Sequence, residues 1–179
     1  MKKFFAVIAL YLAGWVSSNA YAESYLDLGY SMDSFELSDG TEFEPSTAHL
    51  TLGTTLGSNI AVEGVIGTGV ADDSQSFFLG NDITVEMNEF YGIYLRPFVN
   101  VTDGIELFGR IGYRKYEATV SSDSGTGTEN TDSDKDVSYG VGAAFNVSDT
   151  ASILVDYMNY YDKENLEISG VGLGLRFEF

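Results

Sequence analysis

The chain closes with Gly170-Val171-Gly172-Leu173-Gly174-Leu175-Arg176-Phe177-Glu178-Phe179, in which large apolar residues hold every odd position and small or charged ones every even position. Strict alternation marks a β-strand with two unlike faces, because successive side chains of a strand point to opposite sides. The same period of two recurs upstream, and no stretch shows a helical period. It divides the chain into eight expected strands, at 24–37, 46–56, 60–71, 83–98, 105–119, 136–147, 151–162 and 166–179. The connections at 57–59, 99–104 and 148–150 are short, whereas 38–45, 72–82, 120–135 and the bend at 163–165 are longer or more polar. Short turns at one end and longer loops at the other describe an all-β, eight-stranded antiparallel up-and-down transmembrane barrel.

The placement of charge decides which face meets lipid. With each strand phased by its large apolar residues, one face carries Leu26, Leu28, Leu50, Leu52, Ile66, Ile93, Leu95, Ile111, Val155 and Leu173. The opposite phase holds Asp27, His49, Glu63, Arg96, Glu106, Arg110, Arg114, Asp156, Arg176 and Glu178. A soluble barrel of this size would be polar outside and apolar within. An Arg or Lys facing lipid at the midplane costs about 2–4 kcal/mol, so the apolar face is the outer one. Tyr30, Tyr91, Tyr113, Tyr139 and Tyr157 share that phase and are expected to form the aromatic girdle on the side of the long loops.

Residues 1–22 read as a cleaved signal peptide, with a basic start at Lys2 and Lys3, a short apolar stretch and an Ala20-x-Ala22 end. Residues 23–179 then form the barrel domain. That portion holds seven basic residues against 27 acidic ones, a formal net charge of −20. Nucleic-acid binding needs clustered Lys and Arg and is excluded. No cysteine is present, so the fold uses no disulfide. The 12 Phe and 12 Tyr supply too much apolar surface for a disordered acidic chain.

The last residues resemble the C-terminal assembly signal of bacterial outer-membrane proteins, with Gly174, Phe177 and Phe179 matching its glycine and alternating aromatics; Gly172 stands where a polar residue is usual. With the leader and the eight strands, the chain resembles the small outer-membrane barrel family that includes the OmpA transmembrane domain, OmpX, Ail and the opacity proteins. The resemblance implies a porin-like barrel in the outer membrane of a Gram-negative bacterium, present as a monomer amid outer-membrane lipid and lipopolysaccharide. It also implies delivery by periplasmic chaperones to the barrel-assembly machinery, and no cofactor. No peptidoglycan-binding domain of the kind that follows the barrel in OmpA is expected after Phe179.

The inward charges are the main candidate site. An eight-stranded barrel is just wide enough for side chains to fill its interior, and an unpaired charge there would be strongly destabilising. The arginines are therefore expected to bridge Asp27, Glu63, Glu106 and Asp156, with inward glycines making room for them, either as a fixed polar plug or as a gate. His49 has no evident nucleophile or orienting carboxylate, and nothing selects Ser46 or Ser138 for hydrolysis. In the acidic stretch 121–136, Asp132, Asp134 and Asp136 alternate like the start of a calcium loop, but the glycine that such a loop needs is missing. Weak divalent-cation binding is the most they suggest. The expected function is a non-enzymatic envelope or surface protein whose acidic loops meet an unknown outside partner. A narrow channel for ions or small solutes is the second reading, and a lipid A-modifying enzyme the third.

Overall fold

The computed structural model describes residues 23–37, 40–77, 81–122, 128–163 and 166–179. The expected signal peptide lies outside the described residues. Ten antiparallel strands are present: β1 (Ser24–Leu37), β2 (Glu42–Phe43), β3 (Ser46–Thr55), β4 (Ile60–Ala71), β5 (Asp73–Phe77), β6 (Asn81–Thr102), β7 (Ile105–Ser122), β8 (Thr128–Ser148), β9 (Ala151–Lys163) and β10 (Leu166–Glu178). Eight of them follow one another around a barrel, in the order β1-β3-β4-β6-β7-β8-β9-β10. The closing tyrosine-to-glutamate register, from Tyr25 opposite Glu178 to Leu37 opposite Leu166, joins β10 to β1 and leaves no free edge. The two short extra strands flank the barrel, β2 on β1 and β5 on β6.

The turn expected at 99–104 is tighter than the sequence suggests. β6 runs through the expected turn 99–104 as far as Thr102, which pairs with Ile105, so that Asp103-Gly104 alone makes the hairpin. Such a pair suits the twist of a two-residue hairpin. Gly57 turns the chain between β3 and β4 at a φ of 124° that a side chain would oppose.

The largest departure is at the upper end. The stretch 120–135, expected as a loop, is mostly strand: β7 continues to Ser122 and β8 starts at Thr128, with the ladder unbroken from Ser122 opposite Thr128 down to Ile105 opposite Phe145. Ser and Thr tolerate a strand beyond the membrane, so polarity alone misplaced the boundary. Within the expected loops 38–45 and 72–82, β2 and β5 are likewise strands.

The outer wall is apolar among the described residues. Leu28, Ile66, Ile93, Leu95, Ile111, Val141, Leu173 and Leu175 are all exposed, at 43–66 % of their full surface. A continuous apolar belt of this kind is a membrane-facing wall, because water would drive it to associate. The interior is packed, and it has two storeys. Near the short turns lie charged side chains. Above them sits an apolar cluster of Phe35, Phe43, Met87, Phe90, Tyr94, Tyr116, Met158, Tyr160 and Ile168.

Candidate functional site

The lower storey is built where six strands, β1, β4, β6, β7, β9 and β10, bring long side chains together. Glu63 on β4 is fully buried and lies at the centre. Arg110 on β7 donates to it through Nε at 2.6 Å, and Arg96 on β6 and Arg176 on β10 approach at 3.4 and 3.5 Å. The Tyr25 hydroxyl donates to the same carboxylate at 2.8 Å. Arg110 also reaches Asp156 on β9 at 2.6 Å and Asp27 on β1 at 3.4 Å. Arg176 donates to both oxygens of Asp27, each at 2.8 Å, and Arg96 pairs with Glu106. Seven of the ten positions singled out by phase therefore meet in one cluster of three guanidiniums and four carboxylates, and Glu178 lies exposed at the rim.

Aromatic rings complete it. The guanidinium carbon of Arg176 lies 3.6 Å from the centre of the Tyr25 ring, and that of Arg96 lies 4.1 Å from Phe108. These rings supply favourable faces for cations in a space that leaves little room for water. The cluster can hold the barrel wall together from inside, since single side chains tie β4 to β7, β7 to β9, and β1 to β10. Each of its carboxylates is engaged by at least one guanidinium.

His49 and Arg114 stand apart from this network. The His49 ring packs over Gly29 and meets Phe90 at 6.3 Å between ring centres. Arg114 is buried in the upper storey between Phe90 and Tyr160, at 3.6 and 3.8 Å from their centres, and its Nε and one terminal nitrogen have no hydrogen-bond partner. Close by on β1, Asp33 accepts from Ser31 and from the Thr47 hydroxyl at 3.0 Å. Ser138 accepts from Tyr94 at 3.2 Å and donates to the Asn159 carbonyl at 3.0 Å, so it serves the packing.

The inward glycines make room for rings rather than for arginines. A Cβ at Gly53 would strike Tyr25, one at Gly67 would strike Phe90, and one at Gly142 would strike Phe108 and Asp156. A flat ring lying against the wall needs a bare backbone beneath it, whereas an arginine stretches away into the lumen. The upper aromatic storey escaped the sequence reading for a related reason. Phase was set by apolar residues assumed to face outward, yet Phe90, Tyr94, Tyr116, Met158 and Tyr160 occupy the same phase as the arginines and were readable there. Met87 was not, because the register shifts between Met87 and Phe90 and flips its side.

Tyr30, Tyr91, Tyr113, Tyr139 and Tyr157 face outward, each 46–63 % exposed. Gly174 faces inward, and Phe177 and Phe179 point out at the lower rim. Asp132, Asp134 and Asp136 lie along β8 opposite Ala118, Tyr116 and Arg114, on a strand and not on a loop. Asp134 accepts from the Tyr161 hydroxyl at 3.0 Å. Among the described residues no group of three or more His, Cys, Asp or Glu is gathered as a metal site.

The sequence model of the outer membrane protein beta-barrel domain matches residues 5–179. No curated protein sequence matches the chain. Among solved structures, the barrel is similar to Ail, the attachment invasion locus protein of Yersinia pestis, at 19 % identity and a TM-score of 0.65, over 88 % of this chain and 99 % of that one. It is similar to Neisserial surface protein A at 12 % identity and a TM-score of 0.63, over 87 % and 97 % of the two chains. OprG from Pseudomonas aeruginosa aligns at 11 % identity and a TM-score of 0.59, over 88 % and 95 %. At these identities the likeness concerns the fold.

Proposed function

The chain belongs to the outer membrane protein beta-barrel domain family and is a barrel of the outer membrane, and from there we propose that it is a non-enzymatic envelope protein with a sealed lumen, whose work lies at the cell surface. The observation that carries this reading is the bridge of Arg110 between Glu63 and Asp156, which crosses the lumen from β7 to both β4 and β9. Beneath the upper storey, such a bridge sets paired charges across the path that a permeant ion would take. A buried charge cluster is tolerable when each member is paired, and a conducting state would have to break several of these pairs at once.

Function then falls to the segments beyond the girdle, as loops on a rigid scaffold commonly carry it. Those segments are acidic, with Glu36, Glu42, Glu44, Asp72, Asp73, Glu117, Asp134 and Asp136 above the membrane. The crystal structure of Ail holds the heparin analogue sucrose octasulfate. A surface of this sign repels a sulfated ligand, so the outside partner is cationic or neutral. In this reading the first 22 residues are a cleaved leader, chaperones and the barrel-assembly machinery install the barrel through its Phe177 and Phe179 signal, and the protein is a monomer.

Single-channel recording of the refolded mature barrel in a planar bilayer tests the sealed lumen. A folded barrel that stays silent is the expected result. Stable currents would overturn it and favour the narrow channel.

A further inference from the structure

Above the outward tyrosines the wall changes character. On β2, β1, β10 and β9, Glu42, Glu36, Glu167 and Asp162 stand directly opposite one another in consecutive register, and all are exposed. Residues in direct cross-strand opposition share a face, so the four carboxylates form one row at a strand spacing of about 4.8 Å. The closing seam between β10 and β1 runs through the middle of the row. Like charges placed in this way destabilise a sheet, and a bound countercharge removes that penalty. Among the described residues no lysine or arginine pairs with Glu36, Glu167 or Asp162.

The row beneath is built to hold these carboxylates. Next below on the same face, Ser34, Ser169 and Asn159 are again consecutive in register, Asn159 being brought into line by the bulge between Ile168 and Ser169. The Ser34 hydroxyl donates to Glu42 at 2.7 Å, and Nδ2 of Asn159 donates to Glu167 at 3.2 Å. Two carboxylates of the row are thus oriented before any ligand arrives, which lowers the entropic cost of binding. Asn159 is only 7 % exposed, and its Oδ1, on the same amide that holds Glu167, has no hydrogen-bond partner. A buried acceptor without a donor is costly. Beside a carboxylate, the donor that suits both groups is a positively charged N–H.

Height and spacing select the ligand. Glu36 stands twelve residues up β1 from Ser24. At ~3.3 Å per residue and a tilt near 40°, that is about 30 Å, clear of an apolar band about 25 Å tall, so the row meets the medium. Its carboxylates lie in a line and do not gather around one point, which suits a linear polycation better than a metal ion. Ammonium groups joined by three methylenes repeat at about 5 Å, the zigzag length of four single bonds. We infer that this strip binds a linear polyamine, with successive ammonium groups between successive carboxylates and one of them donating also to Oδ1 of Asn159. The inference rests on the reading that the protein works at the cell surface through a cationic partner, and it is independent of whether the lumen conducts.

Isothermal titration calorimetry of the refolded mature barrel in zwitterionic nanodiscs tests it, with bis(3-aminopropyl)amine, cadaverine, magnesium and trilysine as probes. The triamine should bind on the order of tenfold tighter than cadaverine, whose two charges stand five methylenes apart, because each exposed ion contact adds a few-fold at most. Added salt should weaken the binding. E36Q/E167Q should lower triamine affinity on the order of tenfold, whereas E117Q, exposed on β7 and outside the row, should leave it unchanged. Heat-modifiable migration on gels verifies that each variant is folded. A triamine held no better than cadaverine, or held equally by E36Q/E167Q, overturns the site. Magnesium or trilysine bound more tightly than the triamine overturns the polyamine as its occupant. Absence of binding to a barrel that passes no current refutes this inference and leaves the sealed lumen standing.

Discussion

Replacing Arg110 by Met keeps an unbranched apolar stem and removes the guanidinium and its charge. Glu63 would still have Arg96 and Arg176 within 3.5 Å. Asp156 would not be so placed: Arg110 is the ion partner it has among the described residues, and its side chain is 10 % exposed. The variant thus strands one carboxylate in the lumen. Leaving one member of a buried pair without its partner costs about 3–5 kcal/mol, or roughly two to three and a half powers of ten in the unfolding equilibrium. Urea titration of the barrel in phospholipid vesicles, followed by far-UV circular dichroism, measures it; the sole tryptophan lies at position 15 in the expected leader, so tryptophan fluorescence is no probe of the mature barrel. The argument also fixes a rescue. Adding Asp156→Asn removes the stranded charge without a change of shape, and should restore at least half of the loss. A loss under about 1 kcal/mol, the range of exposed pairs, would refute the claim that the cluster holds the barrel together. So would a double variant no more stable than Arg110→Met alone.

Three further outcomes follow from the wall and the rim. Leu173→Arg puts a cation on the lipid face in mid-strand and should cost about 2–4 kcal/mol in the same titration, whereas Leu173→Met should be nearly neutral. At Gly112 a Cβ would collide with the backbone carbonyl of Ile93, which cannot rotate away; Gly112→Ala should therefore lower stability by about 1–3 kcal/mol, and an unchanged midpoint would count against the packing described for β6 and β7. Phe179→Ser should sharply reduce the folded protein recovered from cell envelopes while leaving the purified barrel's stability within about 0.5 kcal/mol of wild type, because that side chain is 71 % exposed and the backbone pair of residue 179 with Ser24 is kept.

Much of the fold was legible because a membrane wall imposes its constraint position by position. Every second residue of Val171–Phe179 must tolerate lipid whatever its neighbours do, so the phase of Leu173 or Tyr113 could be read from the sequence alone. The same rule placed Asp27, Glu63 and Arg176 inside. Period and phase also determined the number of barrel strands and the outward tyrosines. Which inward charges touch was another matter. Arg110 and Asp156 are 46 residues apart, and their meeting depends on how far each strand is staggered against the next, a quantity that alternation does not contain. Arg114 has the same phase as Arg110, yet one stagger higher it rests between Phe90 and Tyr160 instead of on a carboxylate. The upper apolar storey and the strands found within the expected acidic loop are likewise products of register. A sequence with period two states which side each residue faces; only closure of the sheet, through hydrogen bonds between distant strands, decides what it faces.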